Sequence, residues 1–224
     1  MNRILLLLCA LWLSMSVGLA QDNGRCLPPV AIGDIVCTDG SIVKPADWPC
    51  GKTAKGIVFY VDHTGEHGWI VHLQNQSSGT GLMWSNREND INALNNYGNA
   101  RDAISDFGGY ENTRRIRAAG NATRFPAAWA VDFVNRWYLP AAGQLNVLYG
   151  NLIEVNHSLG VVGGTAFEMN GNFGAWEYWS SSESVEINLQ IPFYHYYAWF
   201  LSNRGRLDAN NKTYSKSVRS VADF

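Results

Sequence analysis

Apolar residues in the first part of the chain recur in short strand-length runs between polar turns rather than at a helical period. In 34–43 (DIVCTDGSIV) two short β-branched runs flank Asp39-Gly40, a dipeptide that favours the positive φ angles of a tight hairpin. Gly56–Val61 (GIVFYV) and Trp69–Leu73 (WIVHL) read as a second strand pair around the polar stretch 62–68. From Gln74 to Gly109 the density of Asn, Ser and Gly predicts a long irregular surface excursion with one helical turn. Helical spacing appears next. Pro126 suits the first turn of a helix, with Trp129, Ala130, Phe133 and Val134 on one face. Leu145, Leu148, Tyr149, Leu152 and Ile153 make a fuller i, i+3, i+4, i+7, i+8 stripe. Both faces are read as core. Past Gly160 short strands return, with 176–182, 197–201 and 218–222 as candidates. Two helices between early hairpins and late strands predict one α+β domain over 33–224, after a polar lead-in at 21–32.

Composition narrows the class. Charged residues are only 16% of the 224, aromatic residues reach 12%, and there are 22 glycines, which excludes a disordered chain and a coiled coil. A net charge of −2 leaves no basic field for a nucleic-acid backbone. Arg3, the apolar run Ile4–Val17 and the small residues Gly18 and Ala20 have the layout of a secretory signal peptide over 1–20, cleaved before Gln21. The protein is therefore expected to be exported, to the cell surface, the periplasm or the medium, with no transmembrane segment in the mature chain. Cys26, Cys37 and Cys50 would remain. Cys37 and Cys50 flank a turn-rich stretch and are the favoured disulfide pair, with Cys26 free or pairing instead.

Three polar groups have donors suited to chemistry. Asp62, His63, Glu66, His67 and His72 supply imidazoles and carboxylates, but they read as a hairpin turn with no helix to align two histidines, so no metal is expected. Ser180–Ser182 with Glu183, and His157 or His195 as bases, lack a Gly-x-Ser-x-Gly elbow, and serines behind a Tyr-Trp pair satisfy backbone groups in buried turns. Arg114, Arg115, Arg117 and Arg124 have the charge to grip an acidic glycan, and a solvated helical face explains them more simply. No catalytic residue and no cofactor is assigned.

The most informative stretch is 178–214. Tyr178, Trp179, Phe193, Tyr194, Tyr196, Tyr197, Trp199 and Phe200 fall within 23 residues, and the run Tyr194–Tyr197 cannot bury both faces of a strand unless both are covered. A polar set of Asn, Arg, Asp and Tyr follows, a composition closer to a paratope than to a catalytic pocket.

Four segments carry a family resemblance: WYLPAAGQLNVLY (137–149), YWSSSE (178–183), AWFL (198–201) and VRSVADF (218–224). With the opening GDIVCTDGSIVKP and KTAKGIVFYVD, they resemble a secreted bacterial domain that also forms the carboxy-terminal part of a collagen-like adhesin. The resemblance spans roughly 33–224 and implies a C-type-lectin-like fold, similar to that of the formylglycine-generating enzyme. It places Trp179 and Trp199 at strand positions in the core. The family commonly reads LPSxGEL where this chain has Leu139-Pro140-Ala141-Ala142-Gly143-Gln144-Leu145. Loss of that serine hydroxyl is expected to weaken the helix start by about 0.5–2 kcal/mol. Ser220 stands where proline is commoner, and Asp223 reverses a charge. The enzymatic relatives use cysteine chemistry and no cysteine follows Cys50, so their activity is not expected here, nor are the Glu-Pro-Asn or Trp-Asn-Asp signatures of calcium-dependent lectins present. Some proteins with this module resemble targets of diversity-generating retroelements, whose frequent products (Asn, Tyr, Ser, Asp, His, Arg) all occur in this segment.

The expected function is a non-catalytic, adhesin-like module recognising a protein or glycan at a cell surface. The expected contact face is Tyr194, His195, Tyr196, Tyr197, Arg204, Arg206, Asp208, Asn210, Asn211 and Tyr214. The alternative is a structural component of an exported complex that docks a partner permanently through the same rings.

Overall fold

The computed structural model describes residues 29–168, 177–188 and 193–224, with the backbone alone over 186–188 and 193–195. The expected signal peptide and Cys26 lie outside the described residues. In chain order the elements are β1 (Ile35–Cys37), β2 (Ile42–Val43), β3 (Ala54–Val61), β4 (Gly68–His72), β5 (Leu82–Met83), α1 (Ala100–Ala103), α2 (Gly109–Ala119), α3 (Pro126–Ala130), α4 (Ala142–Gly150), α5 (Leu152–Val161), β6 (Tyr178–Asn188), β7 (Phe193–Leu201), β8 (Leu207–Asn211), β9 (Ser215–Lys216) and β10 (Val221–Asp223). The architecture is α+β.

The first sheet is antiparallel in the order β10-β4-β3-β1-β2, so the carboxy-terminal strand closes against a hairpin from the start of the chain. Both expected hairpins form. Gly40 takes a φ of 82°, and Asp39 accepts from the Ser41 N–H at 3.0 Å and the Ser41 hydroxyl at 2.6 Å. These bonds and nearby Lys52 hold the Asp39 carboxyl at about 2. Ile57, Val58 and Phe59 are fully buried in succession because both faces of β3 are covered. α4 and α5 pack on one face through Leu145, Leu148, Val155 and Leu159, and Trp137, Ala222 and Val36 gather on the other.

The helices differ from the sequence expectation. The one starting at Pro126 ends at Ala130, where Val131 turns extended (ψ 145°) and Asp132 caps a separate 3₁₀ turn, Phe133–Asn135. Ala127, Ala128 and Val131 are the buried residues, while Trp129 is 39% and Val134 88% exposed. The second stripe is broken at Asn151, whose side-chain amide donates to the Phe59 and Val147 carbonyls at 3.0 and 3.2 Å. Leu145 and Leu148 are buried, whereas Tyr149 (39%) and Ile153 (84%) face outward. The long helix at 109–119 carries Thr113 and Ile116 as its buried side chains, too few to show as periodicity.

The hydroxyl missing at Ala141 is replaced from a distance. The Ala142 N–H donates to Ser182 Oγ at 2.9 Å, the Gly143 N–H donates to the Asp106 carbonyl at 2.9 Å, and the Ala141 N–H donates to Gln144 Oε1 at 3.0 Å. Backbone approaches so closely at Gly143 that a Cβ would lie 2.5 Å from the Ile104 and Asp106 carbonyl oxygens. The expected pair Cys37–Cys50 is not formed. Cys37 points from β1 into the core beside Ile35, Cys50 sits exposed on a turn, and both thiols are free.

Candidate functional site

The second large sheet runs β6-β7-β8, with β8 at its edge. Pairing of Tyr197 with Asn211, Trp199 with Ala209 and Leu201 with Leu207 puts these residues on one face. Tyr196, Ala198 and Phe200 take the other, with Asn210 and Asp208 opposite the last two. On the inner face Ala198 and Phe200 pack under Trp179 with Trp84, Ile116 and Phe125. On the outer face Trp199 packs against Ala103 and Ala142 and donates its indole N–H to the Tyr97 carbonyl at 3.1 Å.

The irregular excursion at 84–97 is fastened to this sheet by buried polar groups. Lys212 and Glu183 form an ion pair with both side chains fully buried. Lys212 Nζ also donates to the Asn89 carbonyl at 2.6 Å and lies 4.6 Å from the Trp84 ring centre, while the second Glu183 oxygen accepts the Ile91 N–H at 3.2 Å. Burial pushes the Glu183 carboxyl up to about 7 and the Lys212 ammonium down, with their mutual attraction opposing both shifts. The Trp84 indole donates to the Ser180 carbonyl and the Trp179 indole to the Leu82 carbonyl, each at 2.8 Å. A buried ammonium thus fixes a loop that has little regular structure of its own.

Between the end of this excursion and the sheet lies an open groove of about 530 Å³, lined by Gly98, Ser184, Val185, Tyr197, Trp199, Asp208 and Ala209. Tyr197, Trp199 and Ala209 form its floor from the outer face of β7 and β8, and Asp208, which pairs with Phe200, lines it from the edge strand. The outer edge of β8 is blunted by its own side chains: the Ala209 N–H donates to Asp208 Oδ1 at 2.8 Å and the Asn211 N–H to Asn210 Oδ1 at 2.7 Å.

The structure brings together part of the expected contact face and disperses the rest. Tyr197 and exposed Asp208 line the groove, together with Trp199, which the sequence assigned to packing alone. Tyr196 is partly buried on the inner face, with Lys212 Nζ 6.0 Å from its ring. Tyr194 and His195 lie farther along β7, opposite Ile187 and Glu186, and their side chains are outside the described residues. Arg204 and Arg206 are exposed on the β7–β8 turn, where Gly205 has a φ of 73° and lies against the Tyr149 ring. Asn211 is committed to structure: its Oδ1 accepts the Thr213 N–H and hydroxyl at 2.9 and 2.8 Å, and its amide donates to Glu88. Asn210 is spent on its neighbour's N–H, and Tyr214, 58% exposed, sits beyond the end of β8.

No protein-family model matches the chain, and no curated protein matches it.

Asp62, His72, Ser180 and Ser182 serve the fold. Asp62 accepts from Thr64 and Gly65 inside its turn. His72 Nδ1 accepts the Gln74 N–H at 3.1 Å and lies 2.8 Å from Gln76 Nε2, with the ring edge-on to Trp137, and burial lowers its pKa. Ser180 Oγ donates to the Trp199 carbonyl at 2.7 Å and Ser182 Oγ to Asp106 Oδ2 at 2.6 Å. Among the described residues no three His, Cys, Asp or Glu side chains are placed to hold a metal, and no helix is long and apolar enough to cross a membrane. Gly98, Ser184, Val185 and Ala209 left no mark in the sequence, because only strand pairing makes them neighbours of the groove.

Proposed function

We propose that the protein is an exported, non-catalytic binding module of C-type-lectin-like fold, which takes a protein or glycan ligand in the groove over β7 and β8. The observation that carries this reading is the juxtaposition of Tyr197, Trp199 and exposed Asp208 around an open groove on a rigid floor. Aromatic rings supply contact area at low entropic cost, and a carboxylate at the rim supplies directional hydrogen bonds. The groove is built before any ligand arrives, since Trp199 is pinned through its indole N–H and the adjoining loop through Lys212. The Ser180 and Ser182 hydroxyls and Glu183 are spent on internal partners, which favours binding over catalysis. Arg204 and Arg206 on the adjacent turn extend the surface available to a large ligand. Diversification of this carboxy-terminal segment fits the same reading and is tested by searching the encoding DNA for a near-copy beside a reverse transcriptase gene. An array of glycans and surface proteins, run with and without chelator, tests the function. Specific, saturable capture of one class of ligand supports it, and turnover of an arrayed compound without retention overturns it.

A further inference from the structure

The arginine cluster of α2 divides into two sets. Arg114 and Arg115 share the Glu111 carboxylate at the surface, at 2.7 and 2.8 Å. Arg117 lies instead over Trp129, 3.9 Å from its ring centre and 5.2 Å from that of Phe133, and donates to the Ala128 carbonyl at 3.1 Å. Phe133 stacks on Tyr110 at 4.8 Å, and Arg136 lies 5.1 Å from the Tyr110 ring centre. Beyond Trp129, whose indole donates to the Gly120 carbonyl, Arg124 lies over Phe125 with its Nε buried and without a hydrogen-bond partner. The ion pairs among the described residues involve none of Arg117, Arg124 and Arg136. Asp132, the acid closest to them in sequence, is taken by the Asn135 amide at 2.6 Å.

Arg136 is the one non-glycine residue with a positive φ, 64°, among the described residues; it closes the 3₁₀ turn Phe133–Asn135 in the left-handed conformation, donating its N–H to the Phe133 carbonyl at 3.2 Å. Trp129 and Val134 stay exposed beside it. A guanidinium held against an aromatic face has surrendered its rotamer freedom in advance and keeps its planar N–H edge for an oxyanion.

We propose that the strip of Arg124, Arg117 and Arg136 on this aromatic ladder is a second binding site, for a linear polysaccharide carrying carboxylate or sulfate groups. Several cations held against rings suit a polymer whose charges repeat along its length, and exposed Trp129 and Val134 offer apolar surface to sugar C–H faces. The chain's net charge of −2 gives no broad field for a nucleic acid.

The test titrates the full exported chain with polygalacturonate oligomers, heparin fragments, neutral dextran and poly-glutamate at low and moderate salt. Saturable binding to polygalacturonate or to heparin fragments, weakened by salt, is expected, and whichever polymer binds assigns carboxylate or sulfate. Arg136→Gly relieves the positive φ, so it should keep the thermal midpoint yet weaken binding about tenfold, the loss of one charge-assisted hydrogen bond. Arg114→Gln and the groove variant Asp208→Ala should leave this affinity unchanged, which separates the strip from the groove. Saturable binding to neither polysaccharide overturns the proposal. So does tighter binding to poly-glutamate, which would assign an acidic protein, or an equal loss in Arg114→Gln, which would mean diffuse charge.

Discussion

The two sheets are held by different physics. The β10-β4-β3-β1-β2 sheet buries Ile57, Val58, Phe59, Ile70 and Val71, with side-chain polar contacts confined to its margins, such as the Asn151 amide on the Phe59 carbonyl and the Tyr138 hydroxyl on Asp223. The β6-β7-β8 sheet sits against an irregular excursion, and to the apolar packing of Ala198, Phe200 and Trp179 it adds hydrogen bonds and a buried ion pair: Lys212 to Glu183 and Asn89, Trp84 to Ser180, Trp199 to Tyr97. Apolar burial tolerates small errors of position, whereas buried polar groups are stable only in one arrangement. The second sheet therefore has the more exacting geometry, and that is the side where the groove lies.

The largest effect that would break this contrast is Lys212→Ala. It leaves Glu183 buried without its cation and should cost about 3–5 kcal/mol in denaturant unfolding. Hydrogen exchange should localise the loss to 84–97 and β6, with β3 and β4 still protected. The double replacement Lys212→Met with Glu183→Leu should recover most of the loss, since apolar groups of similar volume need no partner. In the first sheet, Ile57→Val should cost only about 0.5–1.5 kcal/mol, read from the same unfolding curves. An equal or larger cost there would erase the distinction between the sheets.

A comparable but more local effect is expected from Ser182→Ala, which removes the distant cap of α4. By analogy with local caps, the cost should be about 0.5–2 kcal/mol, visible as faster exchange of the Ala142 amide. The smallest effect concerns His72. Burial lowers its folded pKa, so below about pH 6.5 the unfolded chain binds a proton that the folded chain refuses. Stability contributed by the neutral ring is present above that pH and is lost as pH falls, at no more than about 1.4 kcal/mol per pH unit. His72→Gln should flatten that part of the stability profile.

The same contrast explains what could be read from the sequence. Both hairpins of the first sheet were legible because Asp39-Gly40 and the apolar runs beside it act locally. The helix expected through Val134 was not, because Val131 and Asp132 interrupt an apolar spacing that continues past them. Asn151 does the same between α4 and α5, using a side-chain bond to a strand 92 residues away. At the groove, Tyr197 and Asp208 were legible from the aromatic and polar composition of 178–214. Asn210, like Asp208, gives its Oδ1 to the next N–H, but Asp208 keeps a second carboxylate oxygen, and Asn211 is consumed by the turn after β8, distinctions that composition does not carry. Glu183 lay in a serine-rich motif that suggested hydroxyl chemistry, and its partner Lys212 is brought to it only by the β7–β8 hairpin.

The central claim is that the groove over β7 and β8 is the ligand-contact face. Its most direct test is the affinity of the Tyr197→Ala, Asp208→Ala double variant for whichever arrayed ligand the native protein retains, measured by titration calorimetry with circular dichroism as the check on folding. An affinity reduced at least about tenfold in a variant with native secondary structure is predicted, consistent with the truncation of one hot-spot contact. Unchanged affinity in that well-folded variant would contradict the assignment.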